Sequence, residues 1–334
     1  MSRIGAIFPS LLLTVGIAGV AYGQTSDPSG ELEIRSKEGI WQPAAGGTQV
    51  PLWPEDTHLA KPDTGDRPEV TGNGSGRVDG KVWHWAGNVT RPTMTIYHPK
   101  GQNTGTTMLV LPGGGFSIVA MDLEGTEICD WAVRRGMTCV VLKYRAPQRW
   151  PMDEKRKGYR RRPEVLLALQ DAQRAMGLLR QRAPVYGINP NRIGVIGFSA
   201  GAYLAANISN IGERTYTPVD AADQQPTRPD FAIMAYTGRL WDSTNAKTNL
   251  GLASWVKISG KAPPTLLIHS MDDPVNNVRE PMAYALALHE AGVPVDLRFY
   301  AKGGHAFGMR PTDDPVTTQW PGQVEQWLRD SDKL

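Results

Sequence analysis

The sequence predicts an α/β fold, in which a mostly parallel central sheet is covered by helices on both faces. From about residue 107 to the C-terminus, short aliphatic runs alternate with amphipathic stretches, as expected for successive strand–helix units. The chain has 334 residues, with 40% hydrophobic and 21% charged residues, which suffices for one large core.

The individual elements follow from the periodicity of apolar residues. Pro92–His98 alternates and is rich in β-branched and aromatic residues, so we expect an antiparallel edge strand there. Apolar residues recur at spacings of three and four from Pro163 to Arg182, which predicts an amphipathic helix. The other expected strands are Thr107–Leu111, Thr138–Tyr144, the run around Ile193–Ile196, Pro229–Ala235, Pro264–His269 and Val295–Tyr300; the other expected helices are Glu124–Arg134, Ala202–Asn207, Arg279–Ala291 and Thr317–Arg329.

The N-terminal segment predicts export. Arg3 precedes an apolar stretch from Ile4 to Val20, and small residues, Ala21 and Gly23, stand before Gln24 at the spacing of a secretory cleavage site. We therefore interpret residues 1–23 as a signal peptide and expect a secreted or periplasmic protein with no stable membrane association after cleavage. We expect residues 24–90 to form an irregular arm that packs on the main domain. Residues 91–334 would be this main, catalytic domain.

Charge and cysteine content exclude several classes of protein. The formal net charge of +3 gives no reason to expect a nucleic-acid partner. No His, Cys or carboxylate spacing predicts a metal site, and no glycine-rich loop continues into Lys-Ser or Lys-Thr, so neither a metal nor another cofactor is expected. The two cysteines, Cys129 and Cys139, are expected to be buried thiols, with a disulfide as the alternative. The oligomeric state is not predicted.

The stretch Arg192–Gly201 carries the strongest motif of the chain. A buried strand leads into Gly197-Phe198-Ser199-Ala200-Gly201, and a helix is expected directly afterwards. Gly-x-Ser-x-Gly between a strand and a helix is typical of a nucleophile elbow, where a serine stands on a tight, strained turn. Glycine two residues either side of the serine allows the strand and the helix to approach closely.

Loops after later strands supply an acid and a base. Asp272 and Asp273 follow the strand Pro264–His269, and His305 follows the last strand within a Gly-Gly-His loop. A histidine can accept the serine proton because its ordinary pKa lies near neutrality, and a carboxylate can fix its tautomer. Parallel strands deliver these loops to the same edge of a sheet, and the order Ser…Asp…His is the one found with this elbow. Only one of the adjacent aspartates can orient the histidine; the other would cap the turn.

A glycine-rich loop is the candidate oxyanion hole. Gly113 and Gly114 follow the strand Thr107–Leu111, and their backbone N–H groups could bind a developing alkoxide together with the N–H of Ala200.

Six segments together resemble a known family. They are LPGGGF (Leu111–Phe116), EGTE (Glu124–Glu127), VVLKYR (Val140–Arg145), GFSAGA (Gly197–Ala202), DDPV (Asp272–Val275) and GGHAFG (Gly303–Gly308). As an ordered set they resemble secreted bacterial α/β-hydrolases of the acetyl-xylan esterase and feruloyl-esterase-like group. The resemblance implies an α/β-hydrolase fold and a serine carboxylic-ester hydrolase. It places the nucleophile on Ser199, the acid on Asp272, the base on His305 and the hole on Gly113, Gly114 and Ala200. Pro112 stands where lipase-like relatives have histidine, which favours the sugar-esterase branch.

The substrate expected from this resemblance is an acylated polysaccharide, such as acetylated xylan, or its oligosaccharides. Trp150 and Trp241 lie on loops near the expected site and are the candidates for stacking on sugar rings. Two alternatives remain open: a serine peptidase of the prolyl-oligopeptidase type, and a catalytically silent sugar-binding protein on a hydrolase fold. Fewer than about ninety residues precede the glycine-rich loop after Gln24, too few for a propeller domain, which disfavours the peptidase.

Overall fold

An eight-stranded sheet forms the centre of the protein in the computed structural model, which describes residues 37–43, 46–147, 163–245 and 249–334. The expected signal peptide and Trp150 lie outside these residues. The strands are β1 (Lys37–Glu38), β2 (Thr48–Pro51), β3 (Val70–Asn73), β4 (His84–Gly87), β5 (Thr93–Tyr97), β6 (Thr107–Leu111), β7 (Ile118–Ala120), β8 (Thr138–Lys143), β9 (Ile193–Phe198), β10 (Ala232–Ala235), β11 (Thr265–Ser270) and β12 (Val295–Tyr300). The order in the main sheet is β12-β11-β10-β9-β6-β8-β5-β2.

The main sheet is mostly parallel, which confirms the predicted fold class. Every pairing from β12 to β8 is parallel, and the pairings of β5 with β8 and of β2 with β5 are antiparallel. Strands β6, β8, β9, β10 and β11 are buried along their whole length, as their aliphatic composition requires. Strand β9 lies between β6 and β10, so the loop that follows it opens at the middle of the sheet edge.

Six α-helices accompany the sheet in the described part of the chain. They are α1 (Glu127–Val133), α2 (Pro163–Gln181), α3 (Ala183–Tyr186), α4 (Ala200–Asn210), α5 (Arg279–Glu290) and α6 (Pro315–Asp330). Helix α4 begins two residues after β9 ends and runs three residues past the expected end, because Ile208 and Ser209 continue its buried face. The predicted helix at Glu124 begins instead as a π-helical turn, Asp122–Thr126, that leads into α1.

The N-terminal arm is more regular than its composition predicts. Strands β1, β3, β4 and β7 form a second, antiparallel sheet, with a small core around Trp83, Trp85 and Ile118. Strand β2 takes the edge of the main sheet, so the prediction that Pro92–His98 is an edge strand is wrong. Backbone pairing with the main domain orders these segments, and a short strand whose partner is distant in sequence leaves little periodicity to detect.

Cys129 and Cys139 form a disulfide between α1 and β8, so the expectation of two buried thiols is wrong. Both side chains are buried, as expected; helix α1 packs on β8 and brings the two residues together. None of the helices in the described segments is long and apolar enough to cross a membrane.

Candidate active site

Ser199 stands at the turn between β9 and α4, in the backbone geometry of an elbow. Its φ and ψ are 52° and −115°, a conformation that is costly for a residue with a side chain. A Cβ on Gly197 would lie 2.2 Å from the carbonyl oxygen of Gly201, and one on Gly201 would lie 1.9 Å from that of Leu111. The two glycines are therefore required by contact between the strand, the helix and neighbouring β6.

Ser199 is hydrogen-bonded to His305 across the edge of the sheet. The distance from the serine Oγ to Nε2 of His305 is 3.0 Å, although 106 residues separate the two in sequence. The other ring nitrogen, Nδ1, lies 2.8 Å from Oδ2 of Asp273. Since an ionised carboxylate only accepts, we assign the proton to Nδ1, which leaves Nε2 as the acceptor for the serine hydroxyl. The half-buried serine thus faces a ring nitrogen that can accept its proton, and the other ring nitrogen faces a carboxylate.

Asp273, rather than Asp272, orients the histidine, so the residue predicted for the acid is wrong. The Asp273 side chain is fully buried, and its Oδ1 accepts the backbone N–H groups of Val275 and Asn276 while Oδ2 faces His305. Asp272 is exposed, and its Oδ1 accepts the backbone N–H of Gly304 at 2.9 Å. The turn after β11 carries the second aspartate inward and leaves the first to fasten the histidine loop.

Glycines shape the histidine loop. Gly304 has φ of 60°, which favours glycine, and a Cβ on Gly303 would lie 2.4 Å from the Ser270 Oγ. These two residues let the chain turn sharply after β12 and present the imidazole to Ser199. Neighbouring His269 is fully buried, and its Nε2 lies 2.9 Å from the carbonyl oxygen of Asn276, so it is a structural histidine, as expected.

The glycine-rich loop reaches Ser199 but uses different donors from those predicted. The N–H of Gly113 donates to Oε2 of Glu124 at 2.8 Å, so the prediction that it belongs to the oxyanion hole is wrong. The carbonyl of Gly113 accepts the N–H of Ala120. In a trans peptide the next N–H, that of Gly114, points the opposite way. The backbone N–H of Ala200 stands at the start of α4, where a helix leaves its first donors unpaired. Gly114 and Ala200 therefore remain the candidate donors.

Two residues close to this arrangement were not predicted as site residues. Glu124 is buried on the π-helical turn, and the hydroxyl of Tyr236 donates to its Oε1 at 2.7 Å. The ring of Tyr236 packs on that of His305, with centroids 4.9 Å apart. The EGTE segment was the only signal in the sequence for Glu124, and nothing in the sequence distinguished Tyr236.

The tryptophan predicted for sugar stacking is unsuited to that role. Trp241 is only 7% exposed, its Nε1–H donates to the carbonyl of Asn249, and the guanidinium of Arg279 lies over its ring. Trp255, on the same loop, is 38% exposed. Trp241 is therefore a packing residue of the loop after β10. Within the described segments no group of three His, Cys, Asp or Glu side chains is placed to hold a metal ion.

Two curated relatives are similar to this chain over about two thirds of its length. The chain is 28% identical over 236 residues to the acetylxylan esterase of Xylanibacter ruminicola, which covers 65% of this chain and 44% of that protein. It is 26% identical over 243 residues to endo-1,4-beta-xylanase B of Butyrivibrio fibrisolvens, covering 66% of this chain and 36% of that one. The chain thus spans less than half the length of these two relatives. The predicted resemblance to acetyl-xylan esterases is confirmed at this level of similarity.

Solved structures and a family model define the fold. The crystal structure of an acetyl ester-xyloside bifunctional hydrolase from Caldicellulosiruptor lactoaceticus matches 86% of this chain and 97% of its own, with a TM-score of 0.64 and 24% identity. Residues 108–309, which include β6 from its second residue, the elbow and the histidine loop, match the family model described as alpha/beta hydrolase fold. The chain belongs to the alpha/beta hydrolase fold family.

Proposed function

We propose that this protein is an exported serine esterase that removes acetyl groups from a polysaccharide such as xylan, or from its oligosaccharides. The observation that carries the proposal is the hydrogen-bonded chain from Ser199 through His305 to the buried Asp273, with the serine on a strained elbow. Nucleophile, base and orienting acid at these distances form the arrangement that activates a serine.

In the first half of the reaction Ser199 becomes acylated. Its Oγ attacks the carbonyl carbon of the ester as Nε2 of His305 accepts the hydroxyl proton. The N–H groups of Gly114 and Ala200 bind the oxygen that becomes negative, and Asp273 stabilises the imidazolium. The ester C–O bond then breaks, and the sugar oxygen leaves with the proton from Nε2 of His305. The products of this half are a free sugar hydroxyl and an acyl group on Ser199.

In the second half water releases the acyl group. His305 takes a proton from water, whose oxygen attacks the acyl carbon, and the same donors bind the second oxyanion. The bond to Ser199 breaks, the serine oxygen recovers a proton from His305, and acetic acid leaves, which ionises to acetate and a proton in water. No other reactant is needed for the balance of atoms and charge.

The choice of substrate is supported by the kind of protein that this chain resembles. An acetylxylan esterase and a xylanase both match about two thirds of the chain. The expected signal peptide would take the enzyme to the polysaccharide outside the cytoplasm. Xylan with O-acetyl groups is accordingly the proposed substrate, and feruloyl esters are the next class to test.

The proposal is tested by mass spectrometry of acetylated xylo-oligosaccharides incubated with the enzyme. We expect successive losses of one acetyl mass from the sugars and an equal yield of acetate. A parallel panel of aminoacyl anilides tests the peptidase alternative, which predicts amide cleavage and intact acetyl groups. A fluorophosphonate probe tests the alternative of a catalytically silent sugar-binding protein. That alternative predicts that the probe does not label Ser199.

A further inference from the structure

Glu124 is a buried carboxyl group beside the active site that the proposed mechanism does not use. Glu124 is 3% exposed and lies on the π-helical turn before α1. Irregular turns of this kind are frequent at functional sites. Burial raises the pKa of Glu124, and the hydrogen bonds from Tyr236 and Gly113 oppose that rise. Burying a carboxyl group without hydrogen-bond partners costs free energy. The partners of its two hydrogen bonds therefore indicate which groups it positions.

The first bond fixes the glycine-rich loop against Ser199. The peptide between Pro112 and Gly113 is held at both ends: its carbonyl accepts the hydroxyl of Tyr144 at 2.9 Å, and its N–H donates to Glu124 at 2.8 Å. A Cβ on Gly113 would lie 2.6 Å from Oε2 of Glu124 and 3.0 Å from the Cβ of Ser199. This peptide therefore separates the carboxylate from the serine, and its orientation determines where the following N–H of Gly114 points.

The second bond connects the same carboxylate to the histidine. The hydroxyl of Tyr236 donates a hydrogen bond to Glu124 and accepts one from the backbone N–H of Gly308, and the ring of Tyr236 packs on that of His305. Its φ is 40°, unusual for a bulky residue, and its backbone is held by Ile268 and by Asn276. The tyrosine ring thus forms one wall of the imidazole site, and the glutamate holds its hydroxyl end.

We infer that Glu124 and Tyr236 act together as positioning residues, which hold the N–H of Gly114 and the ring of His305 in register with Ser199. The inference rests on the proposed function, since it concerns the rate at which Ser199 is acylated. Neither side chain touches the reacting atoms in this account. A buried acid with a merely structural role would affect stability, whereas a positioning residue affects kcat in the folded enzyme.

The test compares Glu124→Gln, Tyr236→Phe and the double variant with wild type on p-nitrophenyl acetate. Glutamine keeps the shape but has one accepting oxygen and no charge, so either the bond from Gly113 is lost or the bond with Tyr236 is reversed. Tyr236→Phe keeps the ring against His305 and removes only the hydroxyl. Tyr284→Phe is the matched control, because Tyr284 is another fully buried phenol, hydrogen-bonded to Asn210. Titration of Ser199 with a fluorophosphonate counts the correctly folded sites in each preparation.

We expect kcat per titrated site to fall about 10-fold or more in each single variant, with KM within about twofold, because misplaced donors affect the transition state. The double variant should be slower by less than the product of the two single effects, since each single variant already weakens the hydrogen bond that Glu124 and Tyr236 share. Tyr284→Phe should keep the wild-type kcat.

Values of kcat within about twofold of wild type in both single variants would overturn the inference while leaving the esterase proposal intact. Should Glu124→Gln not yield soluble protein, the result for Tyr236→Phe decides. A wild-type protein that neither hydrolyses esters nor is labelled at Ser199 would refute the esterase proposal, and this inference with it.

Discussion

One oxygen of the Asp273 carboxylate lies 2.8 Å from Nδ1 of His305, and the other oxygen accepts two backbone N–H groups of its own turn. One side chain therefore does both tasks that the sequence assigned to two adjacent aspartates. The turn and the imidazole fix each other, because the carboxylate cannot rotate toward one without leaving the other.

Asp273→Asn should reduce activity far more than Asp272→Asn. An asparagine can still accept the N–H groups of the turn, but its amide would face Nδ1 and favour the tautomer with the proton on Nε2. We expect kcat for p-nitrophenyl acetate to fall by about 10⁴-fold, as for removal of this charge in related arrangements.

Asp272→Asn is the matched control, because its oxygen can still accept the N–H of Gly304. Its kcat should stay within about threefold of wild type, since no charged partner is lost. The reverse order of the two effects would mean that Asp272 orients the histidine during turnover.

Gly201→Ala should destabilise the fold itself. The added methyl group would lie 1.9 Å from the carbonyl oxygen of Leu111, so β6 and α4 would have to separate. We expect the free energy of unfolding, measured in urea, to fall by at least about 2 kcal/mol.

Gly322→Ala in α6 is the control for that variant. Gly322 is exposed, and its added Cβ would have no neighbour within 4 Å. Alanine should raise the stability there by about 0.5–1 kcal/mol through helix propensity. Equal effects of the two alanines would contradict the close packing at the elbow.

Trp241→Phe should act on stability and leave substrate affinity alone. The change removes the hydrogen bond to Asn249 and part of a buried ring. We expect a loss of about 1–2 kcal/mol in urea, with KM for acetylated xylo-oligosaccharides within about twofold of wild type. A raised KM at unchanged stability would restore Trp241 as a sugar-binding residue.

The sequence predicts the central fold well because its signals are local. Buried strands such as Thr107–Leu111 are continuous aliphatic runs, and the glycines around Ser199 are required by sterics that a short motif already expresses. The serine and the histidine could be identified because each stands alone in a distinctive loop.

The errors concern choices that depend on distant partners. Asp272 and Asp273 differ only in the direction that the turn after β11 gives to each side chain. The resemblance to a family did not identify which of the two faces the histidine. Gly113 was predicted as a donor of the oxyanion hole. Nothing in the glycine run shows that its N–H donates instead to Glu124, eleven residues later. Strand β2 and the disulfide likewise depend on where distant segments pack.

The central claim is that Ser199 carries the acyl group, and the most direct measurement is acetate release from acetylated xylan by wild type and by Ser199→Ala. We expect release by wild type, and a loss of about 10⁴-fold or more in the variant with an unchanged unfolding temperature. Release by Ser199→Ala at the wild-type rate would contradict the account.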